Sequence, residues 1–534
     1  MKSSLKSILL FLAFSSIVMN TNAQKKSKET PDPQPTVRMI EADVNQVKGP
    51  TVKMWQECVG AGRANEGLRA DWQEQLKLVK KEIGFKYIRM HGLLHDDMGV
   101  YTEDKTGNPV YNWQYIDQLY DFLLSIDIKP FVELSFMPKA LASGDKTVFW
   151  WKGNITPPKS YDKWYDFMKA LTEHFTERYG AREVKTWYFE VWNEPNISPF
   201  FTGTMADYLK LYDYTVKAIR AVNLDYKVGG PATAGNGWIT ETIEHCVKNN
   251  VPIDFIATHD YAVRQGYFDA SGETGTLLDQ DPKAITKNVN NSKNKILASA
   301  KPNLELHYTE WSSSYTPTDP VHDSYHSAAF ILDKMKGTEN IANSMSNWVF
   351  TDIFEESAPR TTPFHGGFGL LNYQTIKKPA YYCYQFLNRL GATEVKNADP
   401  ASWICKNENG DIQTLFWDFT LTHPTDSVNN QVYYRRDLPS KDKGLTKIKL
   451  TNIPEGTYQL KVTKVGYQSN DVYATYMKLG SPFQLTKKQV QTIQDANSGT
   501  PFANDVITVG TDKVFNYQLG IRENDVYLVE LIKN

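Results

Sequence analysis

Apolar residues along positions 51–391 recur in two alternating rhythms, one of helical period and one of short continuous runs. Leu76, Val79 and Ile83 form a helical stripe, with Asp71 placed as an N-cap, Glu74 at the capping-box position and Gly84 as a stop. Further helices are expected over 115–126, 164–175, 208–222, 239–247, 281–298, 325–336 and 380–390. Strand-like runs fall between them at 86–90, 130–134, 186–192, 227–230, 254–258, 304–309 and 346–351. Counting a first strand over 52–58, the alternation makes eight strand–helix units, the pattern of an α/β fold of the (β/α)₈ barrel type.

The rhythm changes over 392–534. Runs at 413–417, 445–450, 457–465 and 526–531 read as strands, separated by turn signals such as Asn409-Gly410 and Glu455-Gly456; the one helix expected there is 487–494. These features predict a β-sandwich-like accessory domain packed against the barrel, and residues 37–50 are expected to add a strand to it. At the other end, Lys2 and Lys6 precede an apolar run over 8–19 and then Thr21-Asn22-Ala23, the layout of a cleavable secretory signal peptide spanning 1–23. That run is shorter than the roughly 20 residues of a membrane span. Cleavage after Ala23 would leave 534 − 23 = 511 residues in a secreted or periplasmic protein with no membrane attachment. Residues 24–36 are polar and proline-rich and read as a flexible tether.

Charge narrows the function classes. Lys and Arg number 59 against 61 Asp and Glu, which leaves no basic footprint for nucleic acid. Four cysteines, Cys58, Cys246, Cys383 and Cys405, are too few for a disulfide framework and are expected to be buried thiols or one bridge. Aromatic residues make up 13% of the chain, a supply of rings for stacking on sugars.

A (β/α)₈ barrel keeps its active site at the carboxyl ends of its strands. There the chain offers Glu194, followed by Pro195, which lacks an N–H and stops the strand, and Glu310, which ends the seventh run before Ser312-Ser313-Ser314. Most glutamates are solvated, so neither carries much alone. Together, on the fourth and seventh strands, they can face each other across the barrel mouth. Such a pair divides the work of glycoside hydrolysis, one protonated as acid and one ionised as nucleophile, when about 5–5.5 Å apart.

With these residues in place the sequence resembles glycoside hydrolase family 39, the β-xylosidase and α-L-iduronidase family. The matching segments are Val59-Gly60-Ala61-Gly62-Arg63-Ala64, Arg89-Met90-His91-Gly92-Leu93-Leu94, Trp192-Asn193-Glu194-Pro195-Asn196, Tyr308-Thr309-Glu310-Trp311, Asp352-Ile353-Phe354-Glu355-Glu356 and Phe364-His365-Gly366-Gly367-Phe368-Gly369-Leu370, in order through the barrel. The resemblance implies Glu194 as acid/base and Glu310 as nucleophile, with Asn193 on the sugar's 2-hydroxyl and Arg89 facing Glu310 to hold it ionised. Arg89 also has a structural alternative, an ion pair with Glu190. His91 would bind a sugar hydroxyl. His259 and Tyr261 would contact the sugar and orient the nucleophile, and Glu355 or Glu356 would bind hydroxyls of the terminal sugar. Trp311 and Trp348 are candidate platforms or barrel packing. His91 and His95 are four apart with Asp96 and Asp97 behind, but they lie at a strand end, so no metal is expected; the implied chemistry needs no cofactor.

The expected partner is therefore an oligosaccharide or glycoside, cleaved from its end with retention of configuration. Iduronidase relatives carry a Lys at the second position after the sixth-strand His, where this chain has Tyr261; Arg360 is the remaining substitute. A neutral terminal sugar, β-D-xylose first, is therefore favoured over glucose, galactose, arabinose or iduronic acid. A non-catalytic carbohydrate-binding barrel would not require both Glu194 and Glu310. A polysaccharide lyase would need charge neutralisation for a uronate, which Tyr261 does not supply.

Overall fold

The computed structural model describes residues 37–268, 274–424 and 430–534. The expected signal peptide and tether lie outside the described residues. Eight parallel strands close into a barrel in chain order: β1 (Cys58–Arg63), β2 (Tyr87–His91), β3 (Lys129–Glu133), β4 (Tyr188–Glu190), β5 (Lys227–Thr233), β6 (Phe255–Tyr261), β7 (Glu305–Ser312) and β8 (Ser344–Asn347). The helices that follow them are α1 (Ala70–Ile83), α2 (Gln114–Ser125), α3 (Tyr161–Tyr179), α4 (Met205–Val222), α5 (Ile239–Lys248), α6 (Ala284–Leu297), α7 (His326–Thr338) and α8 (Pro379–Arg389). α3 buries one stripe on the barrel, Trp164, Phe167, Met168, Leu171 and Phe175, whereas α7 and α8 are buried on nearly all sides.

Two local expectations are corrected. The first strand is Cys58–Arg63, not 52–58, where Met54–Gln56 is a 3₁₀ turn. Glycines hid the strand because they lack apolar side chains, yet the packing demands them: a Cβ on Gly60 would run into the Trp348 ring, and one on Gly62 into the Glu66 carboxyl. Asp71 does not cap α1, which starts at Ala70. The Arg69 guanidinium takes both Asp71 oxygens at 2.8 and 3.1 Å, and Glu74 pairs with Lys77. Gly84, at φ 85°, ends the helix in the left-handed conformation that glycine adopts at no steric cost.

Beyond the barrel two sheets pack face to face. The larger runs Val47–Pro50, Thr393–Val395, Ser402–Lys406, Ile412–Trp417, Val526–Lys533, Gly456–Val465, Ala503–Val509; the smaller runs Val37–Asp43, Asp442–Thr451, Phe515–Arg522. Residues 37–50 thus place one strand in each sheet rather than a single strand in one. Alternation on the large sheet sorts its side chains. Ile404, Phe416, Val529 and Leu531 meet Ile40, Ile448, Leu450 and Phe515 of the small sheet. Trp403, Cys405, Leu415, Trp417 and Leu528 face the other way, into the core shared with the barrel. Besides Lys487–Ala496, the region holds the short helices Asn430–Tyr434 and Val472–Lys478, too short to leave a helical period in the sequence. All four cysteines are buried free thiols. No helix among the described residues is long and apolar enough to cross a membrane.

Candidate active site

The upper interior of the barrel is built around Arg89, which lies on β2's inward row between Tyr87 and His91 and is fully buried. Its Nε donates to Glu190 Oε2 at 2.6 Å, Nη1 to Glu310 Oε1 at 2.6 Å and Nη2 to Asn193 Oδ1 at 2.9 Å, while Nη2 also lies 2.8 Å from Glu133 Oε2. Arg89 therefore meets both partners that the sequence offered it, Glu310 and Glu190. Three strands and the loop after β4 thus supply four oxygens to the guanidinium, and a buried cation so surrounded stays charged.

β4 is shorter than expected. Past Glu190 the backbone turns left-handed at Trp192 (φ 72°) and again at Glu194 (φ 45°), positions where a side chain costs roughly 1–3 kcal/mol. The Glu194 N–H is held by the Ala232 carbonyl at 2.9 Å. Glu194 and Glu310 end up almost enclosed, at 8% and 5% exposure. Carboxyl oxygens of the two, and a ring nitrogen of His259, lie within 4.8 Å of one another.

The two carboxyls sit in unlike surroundings. Each oxygen of Glu310 accepts a hydrogen bond, Oε1 from Arg89 and Oε2 from the Tyr261 hydroxyl at 2.7 Å. Glu194 has no such cation contact. Burial, and then the charge of Glu310, hold its carboxyl well above the ordinary carboxylate range despite the more distant pull of His91 and Arg89. Its Oε1 faces His259 Nδ1 at 2.9 Å, and His259 Nε2 faces the Thr309 hydroxyl at 3.1 Å. Burial, with Arg89 and His91 nearby, pushes His259 well below its ordinary value, so the ring is neutral. Thr309 in turn donates to Glu190 Oε1 at 2.7 Å. Where Glu190 is ionised, Thr309 must therefore accept from His259 Nε2–H, and Nδ1 is left as an acceptor for the Glu194 O–H. Burial, reinforced by Glu133 and opposed by Arg89, lifts Glu190 to about 7. His91 is the second buried cation: burial opposes its charge, but Glu133, 2.7 Å from Nδ1, raises it to about 10.

These groups open on a cavity of about 1310 Å³ lined by His91, Asn193, Glu194, Tyr261, Glu310, Trp348 and Glu356 among others. His91 Nε2 stands 3.5 Å from Glu310 and 3.6 Å from Glu356. Three residues fall elsewhere. His259 is fully buried behind the carboxyls and does not line the cavity, so its contact is with Glu194 rather than with a sugar. Glu355 turns away to Arg63 at 2.5 Å and Arg69 at 3.2 Å. Trp311 is fully buried and stacks on Phe330 on the outer side of the barrel wall, with ring centroids 6.0 Å apart, so of the two tryptophans only Trp348 borders the cavity. Arg360 borders a separate surface depression with Arg435. Sequence reasoning passed over Glu133 and Thr309. Both were legible in retrospect as polar residues at inward positions near strand ends, a signal that bears only once strand register is known.

His95 pairs with Asp97 at 2.8 Å and packs on Trp151, so it does not converge with His91. The metal-capable group among the described residues is Glu194, His259 and Glu310. A cation there would have to share Glu310 oxygens already taken by Arg89 and Tyr261.

Known proteins resemble the chain along most of its length. The model of glycosyl hydrolases family 39 matches residues 38–507. The chain belongs to that family. A beta-xylosidase of Caldicellulosiruptor saccharolyticus is 40% identical over 453 residues, 83% of this chain and 88% of that one. A beta-xylosidase of Geobacillus stearothermophilus is 36% identical over 488 residues, 90% and 92% of the two chains. Among solved structures, the GH39 enzyme from Xanthomonas axonopodis pv. citri superposes with a TM-score of 0.90 at 40% identity, covering 94% of this chain and 98% of its own. The family 39 chain is thus a glycoside hydrolase on a (β/α)₈ barrel, and its substrate is a carbohydrate.

Proposed function

We propose that this family 39 enzyme is a retaining, exo-acting β-D-xylosidase with Glu310 as nucleophile and Glu194 as acid/base. The observation that carries the reading is the pair of carboxyls with oxygens within 4.8 Å of each other, Glu194 held well above the ordinary carboxylate range and Glu310 hydrogen-bonded by Arg89 and Tyr261. Inverting enzymes leave roughly 6.5–9.5 Å between the two groups for a water; retaining ones keep about 5–5.5 Å.

In the first step a Glu310 oxygen bonds to the anomeric carbon while Glu194 gives its proton to the departing oxygen. The glycosidic bond breaks and a glycosyl ester on Glu310 remains. Arg89 and Tyr261 fix the orientation of Glu310. Esterification removes the negative charge that helped keep Glu194 protonated, so its proton affinity falls as the second step needs it to act as a base. Glu194 then takes a proton from water, the oxygen bonds to the anomeric carbon, and Glu310 leaves as carboxylate. His91, Trp348 and Glu356 wall the end of the cavity beside Glu310 and suit a single terminal sugar. The xylose assignment draws on the two beta-xylosidases above and on Tyr261 at the sixth-strand position. The amino-terminal pattern supports export with cleavage after Ala23, which amino-terminal mass spectrometry of the mature protein tests.

Hydrolysis of aryl xyloside, glucoside, galactoside, arabinoside and iduronide by wild type and Glu310→Ala, with azide added to the mutant, tests the function. The expected result is cleavage of the xyloside, a dead variant, and azide rescue giving the inverted glycosyl azide. Cleavage of only another glycoside overturns the sugar and leaves the mechanism. Cleavage of none by wild type overturns both.

A further inference from the structure

The two glutamates after β8 are neighbours in the chain but not in their surroundings. Glu356 borders the cavity, its carboxyl 3.6 Å from His91 Nε2. Glu355 does not line the cavity, and each of its four polar atoms is engaged. Its N–H donates to Glu66 Oε1 at 2.9 Å, and its carbonyl accepts from the Ala358 N–H at 3.3 Å. Its Oε2 accepts from Arg63 Nη2 at 2.5 Å and its Oε1 from Arg69 Nη1 at 3.2 Å. A sugar hydroxyl could reach the Glu355 carboxylate only by displacing an arginine.

The partners are held in turn. Arg63 closes β1, gives Nη1 to Asp97 and lies over the Trp151 ring at 5.6 Å. Asp97 also meets His95 at 2.8 Å, so the histidine–aspartate stretch behind His91 serves Arg63. Arg69, at the rim, divides its nitrogens between Glu355 and Asp71. Glu66 is buried, and burial followed by the charge of Glu355 raises its carboxyl well above the ordinary carboxylate range, against the pull of Arg63. It is therefore a neutral acceptor, which leaves Arg63 and Arg69 to balance Glu355 and Asp97. On the far side, the Glu356 carbonyl accepts the Trp150 N–H at 2.7 Å, and Trp150 follows Phe149 of the cavity wall. Glu356 is thus anchored through its own carbonyl and through the residue before it. A group held in its binding geometry before the ligand arrives loses less freedom when the ligand binds.

Resting on the reading of this end of the cavity as the terminal-sugar site, we infer that Glu355, Arg63 and Arg69 are positioning residues: they bind no sugar themselves and act by holding Glu356 where the sugar's hydroxyls meet its carboxyl. Of the two glutamates, Glu356 alone is the sugar ligand, and its partner in sequence is the clamp.

The test is a double-mutant cycle on kcat/KM, run with whichever of the aryl glycosides named above wild type cleaves. It compares wild type, Glu355→Gln, Glu356→Gln and Glu355→Gln/Glu356→Gln. Glu356→Gln is expected to lose about 10–100-fold, the worth of a hydrogen bond to a charged group, and Glu355→Gln about tenfold. The double variant is expected to fall no more than about twofold below Glu356→Gln, because a residue that acts only through Glu356 then has nothing to act on. Arg69→Ala removes a half-exposed side chain and serves if Glu355→Gln does not fold. Its expected loss of about threefold must likewise vanish in the Glu356→Gln background. A general loosening of the fold would lower activity by the same factor in both backgrounds. Losses that multiply, or full activity of both Glu355→Gln and Arg69→Ala, overturn the inference and leave the proposed function standing. No turnover of any of the glycosides by wild type overturns that function and this inference with it.

Discussion

The lower and upper layers of the barrel interior are made by the same strands two residues apart, yet they have opposite chemistry. Tyr87, Phe131, Tyr188 and His307 precede Arg89, Glu133, Glu190 and Thr309 by two positions on β2, β3, β4 and β7. Below, Phe131 stacks on Tyr188 at 4.9 Å, and Phe255 meets both rings at 5.5 and 5.3 Å with His307 against it at 5.5 Å. Above, two buried cations thread through buried carboxyls. The aromatic floor excludes water, and the dry environment makes each charge–charge contact above it stronger than it would be in solvent. The floor supports stability; the charged layer gives up some stability to set protonation states.

Glu310→Ala should sharpen that division most. Loss of kcat on the order of 10⁴–10⁶-fold is expected, as for removal of a nucleophile that works as part of a unit, with the circular dichroism spectrum retained. Glu194→Gln should cost about 10²–10⁴-fold, and its stability should move the other way. A carboxyl whose proton affinity is raised by folding contributes stability that is full below its ordinary value of 4.5 and is lost as pH rises. Glutamine does not ionise, so the variant should gain in melting temperature over wild type as the buffer goes from pH 5 to pH 8; no gain would break the claim that Glu194 is held protonated.

In the floor, Phe131→Ala should cost about 3–5 kcal/mol of unfolding free energy, read by denaturant titration, while the shape of the pH–rate profile stays as in wild type. His91 links the layers. Raised from 6.5 to about 10, it contributes stability that is fully present below pH 6.5 and declines as pH climbs toward about 10. His91→Gln should flatten this decline by an amount on the order of a few kcal/mol, measured by unfolding between pH 6 and 10. The smallest effect belongs to Thr309→Val. Without the hydroxyl that sets the His259 tautomer, the protonated form of Glu194 loses its acceptor, and the basic limb of kcat/KM should move down by about one pH unit or less. An unmoved limb would remove Thr309 and His259 from the protonation of Glu194.

The barrel was readable because its eight units repeat, and Glu194 and Glu310 because each follows a short apolar run toward the barrel mouth, although β4 stops at Glu190 and β7 continues past Glu310 to Ser312. Strand β1 was misplaced because its demand is for small residues, which carry no apolar signal. The roles of His259 and Glu355 depended on which way a side chain turns at a strand end, and local period does not decide that. The link from His259 through Thr309 to Glu190 joins β6, β7 and β4, and only closure of the barrel brings those residues together.

The central claim is that Glu310 forms a bond to the sugar. A 2-deoxy-2-fluoro-β-D-xyloside with a good leaving group destabilises the cationic transition states and lets the glycosyl-enzyme accumulate, so peptide mass mapping of the inactivated protein locates the bond. The account predicts one sugar per chain on the peptide that carries Glu310, and none on Glu310→Ala. A label on any other residue, or turnover with inverted configuration and no label, would contradict it.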